Sequence, residues 1–421
     1  MIIHRARRGS TTLLCGLVLL TVSGPAGAQD QQFEAMHVER RASDFLPAGL
    51  VSGPHYTIDQ RVVTDGFSNR YTVQSDFVPF KAQNDAMLRR LIREINAIAQ
   101  LKKIENTEAF GDALQEAAKK PLEGAERLIE DPVDTISGIP DGISSLFSRA
   151  KESIANEESD YEDGAVKSVL QVSDYKRQLA GKLEVDVYSA NPVSQEELNR
   201  VGWASAVGNL GPNVVLLPAT GPIAMTISGL TWTDNSNDVI TETPPAQLRI
   251  DNTAALEGMG IDPDLVDRFI HDKILTPRNQ TAITHALAAM KAAKGREVML
   301  QIANQATTQV DAVFFQQIAE TFAGYNETES QIVELRLYNG IPLGYAENGT
   351  VVCALPLDFG RWTSTGAAVL DDLVANYPKL NGAQRLEFWI TGRFSPLAKQ
   401  NLAKLDIGLT ENVDEKFGML D

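Results

Sequence analysis

A stretch without a single ionisable side chain, Val201–Thr233, constrains the fold of this chain more than any other feature. Charged residues make up 22% of the 421-residue sequence, so an uncharged run of this length is unusual. Gly211-Pro212, Pro218 and Gly221-Pro222 interrupt it, whereas a membrane-spanning helix needs about 20 residues of continuous helix. The run therefore predicts either a buried helical hairpin inside a folded domain or a segment that contacts a membrane.

Aromatic residues at both ends of this run keep the membrane alternative open. Trp203 and Trp232 bracket the stretch, as tryptophans do at bilayer interfaces, and are the membrane-contact candidates. Against insertion, backbone groups freed by the prolines would find no hydrogen-bond partners in lipid. Tryptophans are also common in the cores of large domains. We expect the stretch to be part of the protein core, with membrane insertion as the alternative.

The first residues have the pattern of an export signal. Arg5, Arg7 and Arg8 precede an apolar run, Leu13–Val22, and the small residues Ala26-Gly27-Ala28 follow it. This order of basic, apolar and small residues is typical of a cleaved signal peptide. We expect cleavage before Gln29 and a mature protein that is periplasmic or secreted from a bacterial cell.

Charge and cysteine content narrow the possible partners. The chain has 38 basic and 55 acidic side chains, and residues 1–28 contain three of the basic ones, so the mature formal charge is −20. Nucleic-acid binding requires clustered Lys and Arg, and we therefore expect no nucleic-acid partner. Once Cys15 is removed, Cys353 is the remaining cysteine and forms no internal disulfide. Apolar residues surround Cys353 in the sequence, which predicts a buried, unreactive thiol.

The periodicity of apolar residues predicts an α+β fold that is mostly helical. An Asp65-Gly66 turn inside 55–81 predicts an N-terminal β-hairpin, and helical spacing over 84–102 predicts a covering helix. Alternating residues around Asn339-Gly340 and Asn348-Gly349 predict a β-meander near the end. The predicted organisation is a signal peptide (1–28), the hairpin with its helix (29–104), amphipathic helices and an acidic linker (105–164), a central helical bundle (165–328) and a C-terminal α+β module (329–421).

Local capping signals refine the helical region. Ser194 with Glu197 predicts a capping box at a helix start, and Thr276-Pro277 predicts an N-cap followed by a first-turn proline. The pattern predicts helices over 263–275, 280–294 and 307–322. Strand, helix and strand then alternate over 385–410, which predicts a small βαβ unit with parallel pairing.

Few residues carry a recognisable catalytic pattern. There is no nucleophile elbow, phosphate-binding loop or dinucleotide-binding fingerprint, and the sequence predicts no cofactor. His271 beside Asp272, with His285 on the next helix, would form a catalytic pair if the two helices pack antiparallel. These three residues are the first to inspect for the alternative that the protein is an envelope hydrolase.

Two further segments are candidates for ion binding. Asp234, Ser236 and Asp238 alternate oxygen-bearing side chains, as calcium ligands do, although the following residues do not fit a calcium loop of the EF-hand type. Arg393 lies in a turn that leads from a strand into a helix, where free N–H groups attract anions. For both segments, a structural turn is the competing interpretation.

The sequence thus favours an exported, acidic binding or scaffolding protein of the cell envelope over an enzyme. Its partner, either an envelope protein or a ligand, is not readable from the residues. The two alternatives are a membrane-active protein that inserts 201–233 and an envelope hydrolase.

Overall fold

The computed structural model describes residues 33–118, 163–207, 236, 239–379 and 382–420. The predicted signal peptide, most of the 105–164 region and the uncharged stretch beyond Val207 lie outside the described residues. Within them the fold is mixed α+β, as predicted from the sequence. No helix in these ranges is both long and apolar enough to cross a membrane.

The N-terminal region forms a six-stranded sheet in which β5 pairs with three other strands. Its strands are β1 (Val38–Arg41), β2 (Ser52–Gly53), β3 (Tyr56–Ile58), β4 (Arg61–Thr64), β5 (Asn69–Ser75) and β6 (Phe80–Gln83). The predicted hairpin is confirmed, because β4 and β5 pair antiparallel around the Asp65-Gly66 turn. Asp65 Oδ1 accepts hydrogen bonds from the N–H groups of residues 67 and 68, and Gly66 has a φ of 90°, which suits glycine.

A long helix covers one face of this sheet, as predicted. Helix α2 begins at Asp85, and the side chain of Asn84 caps it by accepting from Met87 N at 2.8 Å. Its apolar face packs on buried side chains of the sheet. The packed residues are Leu88, Leu91, Ile92 and Ile95 of the helix and Ile58, Val62, Tyr71 and Val73 of the strands.

Helices dominate the middle of the described chain. Their bounds, in chain order, are α1 (Ala48–Val51), α2 (Asp85–Glu105), α3 (Glu108–Ala118), α4 (Asp163–Lys182), α5 (Pro192–Val207), α6 (Pro245–Gly258), α7 (Pro263–Ile270), α8 (Pro277–Ala289), α9 (Glu297–Ala303), α10 (Gln309–Thr328), α11 (Ser364–Asn376), α12 (Pro396–Lys404) and α13 (Val413–Lys416). The predicted N-cap Thr276 is confirmed, since its side chain accepts from Asn279 N.

The predicted capping box at Ser194 is wrong. Helix α5 begins two residues earlier, at Pro192, and Asn191 Oδ1 accepts the N–H groups of Val193 and Ser194. Glu197 instead forms an ion pair with Lys102 of α2 at 2.6 Å. The serine–glutamate pair misled the prediction. Proline is favoured at the first helical position, so Pro192 was the better signal and places the N-cap at Asn191.

An ionic cluster joins helices α2 and α5. Arg200 Nη1 lies 3.0 Å from Glu105 Oε2 and 3.5 Å from Glu197 Oε2. Glu197 is almost completely buried, and the Glu105 side chain is 13% exposed. Loss of solvent and the nearby Glu197 carboxylate raise the pKa of Glu105 to about 7.

The C-terminal region forms a five-stranded sheet in the order β13-β11-β9-β8-β7. Its strands are β7 (Ile332–Tyr338), β8 (Ile341–Ala346), β9 (Thr350–Leu355), β11 (Arg385–Ile390) and β13 (Ile407–Thr410). Two short strands, β10 (Phe359–Gly360) and β12 (Arg393–Phe394), form a separate parallel pair. The predicted meander is confirmed by the antiparallel pairs β7–β8 and β8–β9, and the predicted parallel pairing within 385–410 by β11–β13. The parallel pairing of β9 with β11 was not predicted. Residues of α10 pack on one face of the sheet, and residues of α11 and α12 pack on the other.

The N-terminal sheet docks on the carboxyl ends of the parallel strands β9 and β11. Backbone hydrogen bonds run from Asp358 N to Phe67 O at 2.8 Å and from Glu34 N to Trp362 O at 2.8 Å. The Arg40 guanidinium lies 4.0 Å from the centre of the Phe359 ring. The loop after β9 therefore forms the main contact between the two sheets.

Candidate functional site

A small polar pocket lies where the two sheets meet. It has a volume of about 290 Å³ including its open mouth. The start of α2, the middle of α10, the loops after β9 and β11, and α13 supply its lining. The lining residues are Asn84, Asp85, Ala86, Arg89, Gln317, Pro356, Asp358, Thr391, Gly392 and Asp414. Loops at the carboxyl ends of parallel strands are the usual location of ligand sites in open sheets.

Asp358 ties the C-terminal module to the N-terminal region. Its Oδ2 accepts from Asn69 N at 2.7 Å, and its Oδ1 accepts from Asp85 N, the first N–H of helix α2, at 3.0 Å. Loss of solvent, followed by repulsion from the Asp85 carboxylate, raises the pKa of Asp358 well above its usual value. The two backbone N–H groups and Arg89 act in the opposite direction but do not reverse the shift.

Asp85 lies next to this carboxyl group and has its own partners. Its Oδ1 accepts from Asn69 Nδ2 at 3.0 Å and from the Tyr71 hydroxyl. Loss of solvent and the neighbouring Asp85 raise the pKa of Tyr71 well above its usual value, so Tyr71 stays neutral and donates. Within the described residues, Asp85 Oδ2 has no hydrogen-bond partner, and Asp85 lines the pocket.

The remaining walls combine an ion pair with a tightly packed glycine. Arg89 Nη2 lies 3.1 Å from Asp414 Oδ2, and both side chains are largely buried. Thr391 Oγ1 donates to Leu357 O at 3.2 Å. A Cβ atom on Gly392 would lie 2.1 Å from the carbonyl oxygen of Asp358, so only glycine fits between the two loops.

Gln317 provides an open amide at the pocket. The residue is 5% exposed and lines the pocket from helix α10. Its side-chain amide makes no hydrogen bond to any other described residue. Buried polar side chains are paired in most proteins, so an amide that is left for the pocket points to a ligand or ordered solvent.

Asn84 adds backbone strain at the same site. It has a φ of 80° and a ψ of 163°, a conformation that is close to glycine-only. Its N–H donates to Asn69 O at 2.8 Å, and its side chain caps α2, which together hold it in place. Strained residues of this kind concentrate at functional sites, where the surrounding structure fixes them.

The structure does not join the predicted catalytic residues His271, Asp272 and His285 by hydrogen bonds within the described part of the chain. Nδ1 of His271, which is exposed, lies 3.0 Å from Asp267 Oδ1. Asp272 Oδ1 accepts from the N–H groups of the two residues that precede Thr276. Nδ1 of His285 lies 2.7 Å from Ser236 Oγ, and loss of solvent lowers the pKa of His285.

The turn around Arg393 already holds carboxylates of the chain itself. Glu411 Oε1 accepts from Phe394 N at 2.7 Å, and Arg393 Nε donates to Asn412 Oδ1 at 3.3 Å. Ser395, the N-cap of α12, donates to Glu34 Oε2, which also accepts from Trp362 N. Internal acidic side chains therefore occupy this predicted anion-binding candidate.

The other sequence candidates lie at the edge of the described residues or outside them. Asp234, Asp238 and Trp232 lie outside, and Ser236 is buried against His285. Trp203 is half-buried on helix α5. In the described ranges, no group of three His, Cys, Asp or Glu side chains is arranged to hold a metal ion. Cys353 is buried, and loss of solvent raises its pKa to about 12.

Comparison with protein-family models, curated proteins and solved structures finds no match for this chain. The pocket residues were missed in the sequence because they come from five separate segments. One signal was present: Asp358 follows the apolar strand β9, and polar residues after buried parallel strands lie at the functional edge of such sheets. Asp85 and Gln317 look like ordinary helical residues in the sequence.

Proposed function

We propose that this chain is an exported binding protein of the bacterial cell envelope and that the pocket between the two sheets holds its ligand. The export signal and the strongly acidic mature chain support the location. The position of the pocket at the carboxyl ends of β9 and β11 supports the site. The enclosed part of the pocket has room for about one water-sized group, so it suits the polar end of a ligand whose remainder lies in the open mouth.

The observation that carries this proposal is the Gln317 amide. Its amide atoms are not among the fully buried unpaired atoms of the described residues, so they face the open space of the pocket, where a ligand can pair with them. Asp85 Oδ2 offers a second open acceptor, from helix α2. The strained backbone of Asn84 is a third feature that favours a binding site here.

Binding is favoured over catalysis because most of the polar atoms are committed to the chain. Both oxygens of Asp358 accept backbone N–H groups, and Oδ1 of Asp85 accepts twice. A general acid or base must exchange its proton with a substrate. The raised pKa of Asp358 favours an envelope hydrolase as the second candidate, because a carboxyl group that keeps its proton to a higher pH can act as a general acid.

A ligand screen with matched variants tests the proposal. The mature chain, Gln29–Asp421, is heated with small amines, amino acids, alcohols, sugars and carboxylates, and unfolding is followed by tryptophan emission. A ligand at 100 times its Kd stabilises the protein by about 2.7 kcal/mol. We expect a compound that stabilises the wild type and the exposed control Gln301→Leu, but not Gln317→Leu. If no compound class discriminates between these variants, the pocket is not the binding site.

The same screen separates binding from hydrolysis. A compound that stabilises the protein is incubated with the wild type for hours and followed by NMR. If the compound stays intact, the binding role holds. If the wild type consumes it and Asp85→Asn does not, the hydrolase candidate replaces the binding role.

Export and membrane contact need separate measurements. Osmotic-shock fractionation with N-terminal sequencing tests release and a mature start at Gln29. Flotation of the purified mature chain with liposomes tests the alternative that 201–233 inserts into a bilayer. A protein that floats would favour the membrane-active alternative over the binding role.

A further inference from the structure

Resting on the proposed function, we infer that the ligand of this pocket presents a primary ammonium group that binds between Asp85 and Gln317. The inference starts from the two open acceptors described above. They belong to different elements, α2 and α10, and both line the same pocket. An ammonium group carries three N–H donors and a positive charge, which suits the open carboxylate oxygen of Asp85 together with the open Oε1 of Gln317.

The charge of the lining excludes anionic ligands. Three carboxyl groups, those of Asp85, Asp358 and Asp414, face one guanidinium, that of Arg89. Arg89 and Asp414 form an ion pair, so they largely cancel. Asp358 carries its proton to a higher pH than usual because of lost solvent and the nearby Asp85. The charge that remains for a ligand is the carboxylate of Asp85.

Acidic side chains alone do not define a ligand site. Gln317 supports the site independently of them. Its side chain is at least nine-tenths buried, lines the pocket and has no partner among the described residues. Its Oε1 can accept one N–H of an ammonium group while Asp85 Oδ2 accepts another. Thr391 Oγ1 donates to Leu357 O and keeps free acceptor capacity at the same wall.

A metal ion fits this site less well than an organic cation. In the described ranges, no three His, Cys, Asp or Glu side chains converge as metal ligands. Hard cations such as calcium take six to eight oxygen ligands. A single carboxylate oxygen and one amide oxygen are too few for such an ion but are enough to orient an ammonium group.

Three compounds of the same shape but different charge test the inference. Propylammonium, 1-propanol and propionate are compared at equal concentration and ionic strength by saturation-transfer NMR with the mature chain. We expect binding of propylammonium alone, weakened at least tenfold in Asp85→Asn and in Gln317→Leu. The exposed controls Asp371→Asn and Gln301→Leu should bind as the wild type does. If Asp85→Asn does not fold, the binding of propylammonium to Gln317→Leu tests the inference on its own.

Two outcomes overturn the inference. If 1-propanol or propionate binds as well as propylammonium, and Gln317→Leu abolishes that binding, the ligand class is wrong while the pocket keeps its binding role. If none of the three compounds binds, the ammonium site is wrong, and the broader ligand screen decides separately whether the pocket binds anything.

Discussion

Replacing Asp358 with alanine should destabilise the protein by about 2–3 kcal/mol, because its carboxyl group satisfies two backbone donors at once. Those donors are Asn69 N at 2.7 Å and Asp85 N at 3.0 Å. Asn69 is 1% exposed, so its N–H cannot turn to solvent and bears the full cost of losing its acceptor. Asp85 lines the open pocket, where water can replace the lost oxygen, so its N–H costs less.

The pH dependence of this effect follows from the direction of the pKa shift. The folded protein holds the Asp358 proton to a higher pH than the unfolded chain does. The stability that this group contributes is therefore complete below its unfolded pKa, about 3.9, and declines as pH rises through the raised folded pKa. We expect the difference between the wild type and Asp358→Ala to be largest at about pH 4 and to shrink as pH rises.

Urea unfolding at several pH values measures this difference, and hydrogen exchange locates it. In Asp358→Ala the amide protons of Asn69 and Asp85 should exchange faster, while those of strand β8 should not change. Asp371→Ala, an exposed substitution in the same module, should change the free energy of unfolding by less than about 0.5 kcal/mol. If Asp358→Ala behaves like this control and Asn69 keeps its protection, Asp358 does not tie the two sheets together.

Three further predictions concern single positions. Glu105→Gln should flatten the pH dependence of stability between about pH 4.5 and 7. In the wild type the folded pKa of Glu105 is about 7, so the protein loses about 1–3 kcal/mol of stability as pH rises through this range. Urea unfolding midpoints at several pH values measure this loss. Gly392→Ala should lower the free energy of unfolding in urea by about 1–3 kcal/mol and weaken ligand binding, because the added Cβ would clash with the Asp358 carbonyl oxygen. The control Gly258→Ala has open space around the added Cβ and should be neutral or stabilising. Cys353 should resist thiol reagents in native buffer and react fully in urea, since burial raises its pKa to about 12; fast labelling of native protein would contradict that burial.

Local signals in the sequence were sufficient to predict several helices and strands. The Asp65-Gly66 turn, the helical spacing after Asn84 and the two Asn-Gly pairs each depend on a few neighbouring residues, and the structure confirms the elements they predict. Helix ends were less predictable because distant partners decide them. Helix α8 ends at Ala289, five residues before the predicted end, and Lys294 pairs instead with the edge strand β7.

The pocket depends on tertiary contacts and could not be predicted in this way. Asp85 and Asp358 are 273 residues apart in the sequence, and no spacing rule joins them. The histidines were singled out because their chemistry is rare in this chain, yet His271 pairs with Asp267 of its own helix. A residue type indicates which chemistry is available, whereas only the fold determines which groups face each other.

The contacts between the two sheets also explain why a polar pocket persists there. Asp358 of the C-terminal module accepts the first N–H of helix α2, and Glu34 of the N-terminal segment accepts from Ser395, the N-cap of α12. Each region thus supplies a carboxyl group to the positive end of a helix in the other. These reciprocal contacts fix the distance between α2 and the loops after β9 and β11 from both sides. The segments held in this way, α2 and the loops after β9 and β11, supply most of the residues that line the pocket beside Gln317.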